Sequence, residues 1–411
     1  MSKLKILNFL EEDKLKFLLI SLFPIFLILG NLLINFFYVA LTTISILNLE
    51  KNKKFYNCPI FYLLLFFFSS LVVNLIFSIN IGNSFPRILK FILIIFVIIE
   101  IQKLYFSNVK GLDKIIKFWS IIFLIVTVDI IFELILGFNS IGFVAEYPGR
   151  IASFFGDELI VGSFYHFFGL IFIGYLLNKK YPHQIILMLG IFIIFISLMI
   201  GERANFLKMF FSIFFILFFF LKINFYKKLI SLLIIITVIF LIISQNDTFK
   251  NRYYNQLKSI YNLNGLEKYL KQSQYGAHQD AALQIFKNHK LFGVGVKNFR
   301  IESGKEIYEN IEYKKTHSRQ ANHPHQIHFE LLSEMGLTGY ISFFILMICS
   351  IYLSLKNFYK NKNFIQLSTV MFLFTNLLPL LPSGSILSTY FGGIFWLNYA
   401  LMISFNSNVR S

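Results

Sequence analysis

Cysteine is almost missing from this chain. Cys58 and Cys349 are the only two in 411 residues, far apart and each near an apolar run. Neither a disulfide framework nor a C-x-x-C metal or redox site is expected from them. Glycine-rich phosphate loops are missing too: no G-x-G-x-x-G and no G-x-x-x-x-G-K-[ST] occurs, so the familiar nucleotide-binding turns are excluded. No internal repeat is visible. Acidic residues are few, 21 against 38 basic ones, which leaves a formal net charge of +17. Arginine is scarce within that basic set, at seven residues.

What is abundant is apolar. Hydrophobic residues make up 56% of the chain, and phenylalanine alone contributes 53. No soluble domain of this length needs that much apolar surface, so the composition points to an all-α polytopic membrane protein. The charged stretch Met1 to Lys16 is followed by an apolar run far longer than a signal-peptide core, which reads as a retained first span. The uncharged stretch 17–49 fits two short spans broken near Gly30-Asn31. Further spans are expected near 59–79, 88–102, 118–138, 158–177, 184–201, 204–221, 229–245, 329–353, 364–381 and 385–406. The total is about twelve transmembrane helices. The division is 1–245 for nine helices with short loops, 246–326 for one large and mostly helical periplasmic loop, and 327–411 for the last three helices.

The charges orient this layout. With the N-terminus cytoplasmic, twenty basic residues fall in cytoplasmic segments and five in the short external loops and their flanks. Most of the basic excess is therefore topogenic, and no nucleic-acid partner is expected. Lysine supplies nearly all of the cytoplasmic charge. Arg87, Arg150, Arg203, Arg252, Arg300 and Arg319 fall outside, leaving only Arg410 within. Orientation needs only positive charge, so external arginines suggest another task. A planar guanidinium suits a diphosphate or a carboxylate.

Three external stretches carry chemistry. Arg203 lies in G-E-R-A-N, a tight break between two apolar runs, either an anchoring pair with Glu202 or a ligand site. Arg150 lies in Y-P-G-R-I-A-S-F-F-G-D-E, a structured loop where Asp157-Glu158 are placed to cap the next helix. In the long segment, Asp280 to Lys287 has helical periodicity, followed by a turn at Gly293-Val-Gly295, while Asn251 to Leu270 is tyrosine-rich and weakly amphipathic.

The densest stretch is T-H-S-R-Q-A-N-H-P-H-Q-I-H-F-E-L-L-S-E-M-G-L-T-G-Y, 316–340, with four of the eight histidines: His317, His323, His325 and His328. Pro324 after Asn322-His323 reads as a helix start. Gln326, Glu330 and Glu334 then share one stripe, and Gly336 and Gly339 permit close helix contact or a kink. Two carboxylates entering a membrane helix must face protein or water. The histidines admit a metal cluster, a catalytic base beside carboxylates, or plain helix-start polarity; irregular spacing and missing cysteine argue against metal.

This stretch resembles the signature of the O-antigen ligase and polymerase superfamily. His325-Gln326, Leu331, Glu334, Gly336 and Gly339 match its pattern of a histidine followed by Asn or Gln, a Leu, a Glu and a G-x-x-G. G-E-R-A-N resembles the family's external arginine loop. Arg150 to Ser163 resembles a second family segment, with Ser153 where glycine is usual. N-H-K-L-F-G-V-G-V-K-N-F resembles the element before the catalytic helix. Gln326 departs from the commoner Asn, and both Arg300 and Arg319 compete for the family's long-loop arginine.

The resemblance implies a metal-independent, inverting glycosyltransferase of the bacterial cytoplasmic (inner) membrane, needing no cofactor, with its active site on the periplasmic face. The donor would be a glycan on undecaprenyl diphosphate. The acceptor would be a lipid A–core sugar hydroxyl in the ligase branch, or another lipid-linked repeat in the polymerase branch. His325 would be the base, Glu334 or Glu330 would orient it, and Arg203, Arg300, Arg319 and Arg150 would serve the diphosphate. A lipid-linked glycan flippase would also use many spans and arginines, but needs no histidine at a helix mouth.

Overall fold

A computed structural model describes residues 14–48, 58–107, 109–156, 160–255, 258, 273–308, 318–379 and 381–406. The start of the N-terminal segment, the cap expected at Asp157-Glu158, most of the tyrosine-rich stretch and His317 lie outside the described residues. The described residues are 78% helix, with no strand among them.

Apolar runs and polar punctuation set the elements. After a helical stretch at 14–21 come α1 (Phe23–Leu29) and α2 (Asn31–Leu47), parted at Gly30, whose φ of 104° suits glycine. There follow α3 (Pro59–Ile76), α4 (Ile81–Ser107), α5 (Val109–Leu136), α6 (Val161–Asn178), α7 (His183–Met199), α8 (Arg203–Phe220) and α9 (Phe225–Gln245). The polar segment forms α10 (Gln274–Asn288), and the chain closes with α11 (Ile327–Asn361), α12 (Phe364–Asn376) and α13 (Tyr390–Ser404). Asn224, Ser273, Gln326 and Asn363 cap the helices that follow them with their side chains.

Among the described residues six helices are long and apolar enough to cross a membrane: α3, α5, α6, α8, α9 and α11. Helices α2, α7 and α12 are apolar but shorter. Burial sorts them into inner and outer members. Helices α6 and α13 are buried almost all round, while α9 buries only Ile235. Glycines allow the inner contacts: a Cβ at Gly174 would meet the Phe364 carbonyl and Ser368 of α12.

A second, smaller core lies in the polar segment, where Ala281, Ala282 and Ile285 of α10 pack with Val294, Phe299 and Tyr308. It is joined to the bundle through α11. That helix is interrupted at Gly336, where φ is 63° and ψ −163°. The turn after α10 fills the interruption. Leu337 N donates to Lys290 O (2.8 Å) and Thr338 N to Leu291 O (3.1 Å), while Val294 N donates to Ser333 O (3.0 Å) and Gly295 N to Glu334 O (2.8 Å). A kinked helix and a loop thereby satisfy each other's backbone, as a buried interruption requires. From α3, Asn74 clamps the junction by donating to Phe292 O and Glu334 O and accepting from Val296 N.

Candidate functional site

The start of α11 differs from the sequence expectation. Residues 322–325 are not helical, and Gln326 rather than Asn322 is the cap, accepting from Phe329 N at 3.1 Å. The reason lies in the backbone of His325, whose φ of 55° is left-handed and cannot continue into a right-handed turn. Histidine is among the residues that tolerate this region. The expected stripe is present: Gln326, Glu330 and Glu334 are all buried.

The 377–383 segment holds this entry in place. Ser383 N donates to His325 O (2.9 Å), Ile327 N donates to Ser383 Oγ (3.0 Å), and Gln326 Nε2 donates to Pro379 O (2.9 Å). The three described histidines of the stretch then part company. His328 is fully engaged: Nε2 faces Leu377 O and so donates to it (2.9 Å), leaving Nδ1 to accept from Tyr340 (2.9 Å). His323 and His325 lie against each other with ring centres 4.1 Å apart, and His278 and Tyr275 of α10 lie 5.5 and 4.9 Å from His325. The His278 and His325 planes are stacked at 29°, while the His323–His325 and Tyr275–His325 pairs are tilted at 45° and 38°.

Burial, and then His278 beside it, push the His325 imidazole down from about 6.5 to about 4. His323 is pushed well down by burial and by His325, and its Nε2 has no partner among the described residues. His325 is half-buried, and its ring nitrogens make no hydrogen bond to the described residues. At neutral pH it is an uncharged acceptor open to a ligand.

The carboxylates stand elsewhere. Glu334 Oε1 accepts from Phe299 N at 3.3 Å, so it serves the 293–299 turn. Glu330 lies beside Ser385, with one carboxylate oxygen unpartnered among the described residues. Neither is hydrogen-bonded to His325 among the described residues. Lys297 lies near both, held with a left-handed φ of 64°. Such backbone strain gathers where surrounding structure enforces it.

The arginines form separate groups. Arg150 pairs with Glu202, its Nη1 3.9 Å from Glu202 Oε1, and Arg203 lies in the same group. Arg252, which sequence reasoning left out of the site, joins them. It donates to Pro148 O (3.0 Å) and Gly201 O (2.9 Å), and its own carbonyl accepts from Arg203 Nη1 (3.0 Å). Three guanidinium groups thus gather around Tyr253 with one carboxylate, Glu202, which among the described residues is paired with Arg150 alone, an arrangement with spare positive charge for an anion. Burial raises Glu202 above the usual carboxylate range, against the opposing pull of Gly162 N–H, Arg150 and Asn205.

The Arg150 loop is fixed from beneath by α5. Glu133 accepts from Ala152 N (2.9 Å) and Ser153 N (2.6 Å), and Asp129 accepts from Ser153 Oγ (2.7 Å). Ser153 has φ 46°, which accounts for glycine being usual there in the resembled pattern.

Arg300 is exposed at the edge of an open depression of about 720 Å³ that Lys305, Gln320 and Asn322 also line. Arg87 of α4 lies near it and also near Glu334. Arg319 is different: it is buried and paired with Asp280 of α10 at 3.3 Å. Sequence spacing offered no signal for Arg252, His278 or Lys297, since each meets its partners across long separations.

No curated protein matches the sequence. Residues 185–344 match the family model described as O-antigen ligase, a stretch that holds Arg203, the 290–299 turn, His325 and both carboxylates. That match, on a chain built of apolar helices around this entry to α11, supports placing the protein in the O-antigen ligase and polymerase superfamily.

Proposed function

We propose that this protein transfers a glycan from undecaprenyl diphosphate to an acceptor hydroxyl, that of a lipid A–core sugar, on the periplasmic face of the inner membrane. The observation that carries the reading is the uncharged, unpartnered imidazole of His325 at the mouth of α11, inside the stretch that matches the O-antigen ligase family.

The chemistry balances on these residues. The acceptor oxygen attacks C1 of the donor sugar. The C1–O bond to phosphate breaks, and undecaprenyl diphosphate leaves with the electron pair. His325 takes the acceptor proton, and attack opposite the leaving group inverts C1. No metal ion enters this scheme. Charge growing on the leaving diphosphate is met by Arg203 and Arg150, with Arg252 holding both loops. Arg300, the exposed long-loop arginine, serves the same charge, whereas buried Arg319 anchors α10 and so supports His278. Glu334 and Glu330 act through the turn that carries Lys297 rather than by touching the imidazole. A bound diphosphate brings negative charge near His325 and raises its proton affinity toward the working pH.

The test is His325→Asn, which keeps a side chain that tolerates the left-handed backbone. Transfer is expected to fall by roughly 10²- to 10⁴-fold with normal membrane expression. Full transfer by that variant refutes the assignment. A deletion strain separates the two branches. Long chains retained on the lipid carrier with a bare core mean a ligase, and a core bearing a single repeat with no long chains means a polymerase.

A further inference from the structure

Lys208 lies on α8, five residues after Arg203, and is only 1% exposed. A lysine inside an apolar bundle is costly unless its donors are satisfied. Its Nζ donates to Pro382 O at 2.6 Å and to Asn376 Oδ1 at 2.9 Å, and Glu202 is its nearest opposite charge. Pro382 immediately precedes Ser383, which accepts from Ile327 N and donates to His325 O. Gln326 grips the same segment at Pro379 O. One short segment is therefore held by Lys208 on one side and frames His325 on the other. An apolar side chain at position 208 would fill the space at lower desolvation cost, so stability alone does not account for a lysine.

We propose that Lys208 is a positioning residue for His325. It fixes Pro382 and Asn376, and so the segment that sets the left-handed backbone of the histidine, relative to the helix that begins at Arg203. The inference rests on His325 being the base. Five residues along a helix is about 7.5 Å, so a small slip of the 377–383 segment would move the imidazole against a diphosphate held by the Arg203 loop.

The test uses the full-length protein in lipid nanodiscs with a lipid-linked glycan donor. Lys208→Met is expected to lower turnover at saturating donor by roughly 10- to 100-fold. The half-saturating donor concentration should stay unchanged, because the arginines around Glu202 are untouched. Lys208→Arg keeps a charged donor and should recover most of the rate. Backbone hydrogen exchange of peptides covering 325–328 and 381–385 should rise in the Met variant and return in the Arg variant, with α13 unchanged. Wild-type turnover in Lys208→Met, or a raised half-saturating concentration with intact turnover, overturns the proposal. If Lys208→Met does not fold, the Lys208→Met/Asn376→Leu pair replaces the polar grip by apolar contact. Low turnover in that folded pair supports the proposal, and wild-type turnover overturns it. Exchange needs no activity: should His325→Asn retain transfer, the functional reading falls, while unchanged exchange in Lys208→Met separately refutes the grip.

Discussion

Replacing Gly336 by alanine attacks the joint between the polar segment and α11. Two costs add. At φ 63° and ψ −163° the backbone is in a region open almost only to glycine, and a Cβ there costs on the order of 1–3 kcal/mol. The same Cβ would overlap the backbone carbon and oxygen of Leu291, which cannot swing away as a side-chain end could. Relief requires the 290–295 turn to withdraw, and four inter-segment backbone hydrogen bonds depend on its position. At about 1 kcal/mol net for each bond, losing even two brings the total to roughly 3–5 kcal/mol. The functional consequence follows from Phe299 and Lys297, which ride on that turn beside Glu334. Thermal unfolding of the purified protein in detergent, alongside glycan transfer in membranes, reads both effects. Gly142→Ala is the control. Its φ of 91° is likewise one that side chains rarely adopt, yet a Cβ there meets nothing within 4 Å, so it should cost only about 1–2 kcal/mol. Equal unfolding temperatures for the two variants, or normal transfer by Gly336→Ala, would refute the interlock as the reason for glycine.

Other substitutions separate contact from strain. Ser153→Ala keeps the left-handed strain and loses the bond to Asp129, costing about 1 kcal/mol, while Ser153→Gly should be near neutral because relief of strain offsets the lost bond; denaturant melts of the two compare them directly. Arg252→Lys cannot reach both Pro148 O and Gly201 O with a planar fork; the half-saturating donor concentration should rise several-fold, and an unchanged value argues against the three-arginine site. Folding holds His325 below its unfolded value, so between about 6.5 and 4 the unfolded chain binds more protons. Its contribution is present above pH 6.5 and is lost as pH falls through 4; the unfolding temperature of His325→Asn should drop less on acidification than that of the wild type.

Hydropathy made the helices legible. A helix occupies each stretch expected from an apolar run, and the Gly30 break falls where the 17–49 run was divided. The carboxylate stripe on α11 was legible from spacing alone, because burial of a charged side chain leaves only a protein-facing orientation. The helix start at Pro324 was misread. Proline favours a first helical turn, but the left-handed His325 that follows it interrupts any such turn, and left-handed geometry at a non-glycine leaves little trace in sequence. The ties made by Asn74, Asn298 and Lys208 were also hidden. Each is one polar residue without periodicity, with a partner far along the chain, as Asn298 has in Ser78.

The junction at Gly336 also bears on how the protein is made. The turn that fills it is synthesised before α11, yet its amides at Val294 and Gly295 have no helix carbonyls to meet until Ser333 and Glu334 emerge. Asn74 on α3 is already available to hold Val296 during that interval. Helix α11 therefore completes the junction that the turn begins. A nascent chain stalled before α11 would expose the turn's unmet backbone to quality control, whatever the state of the helices already inserted.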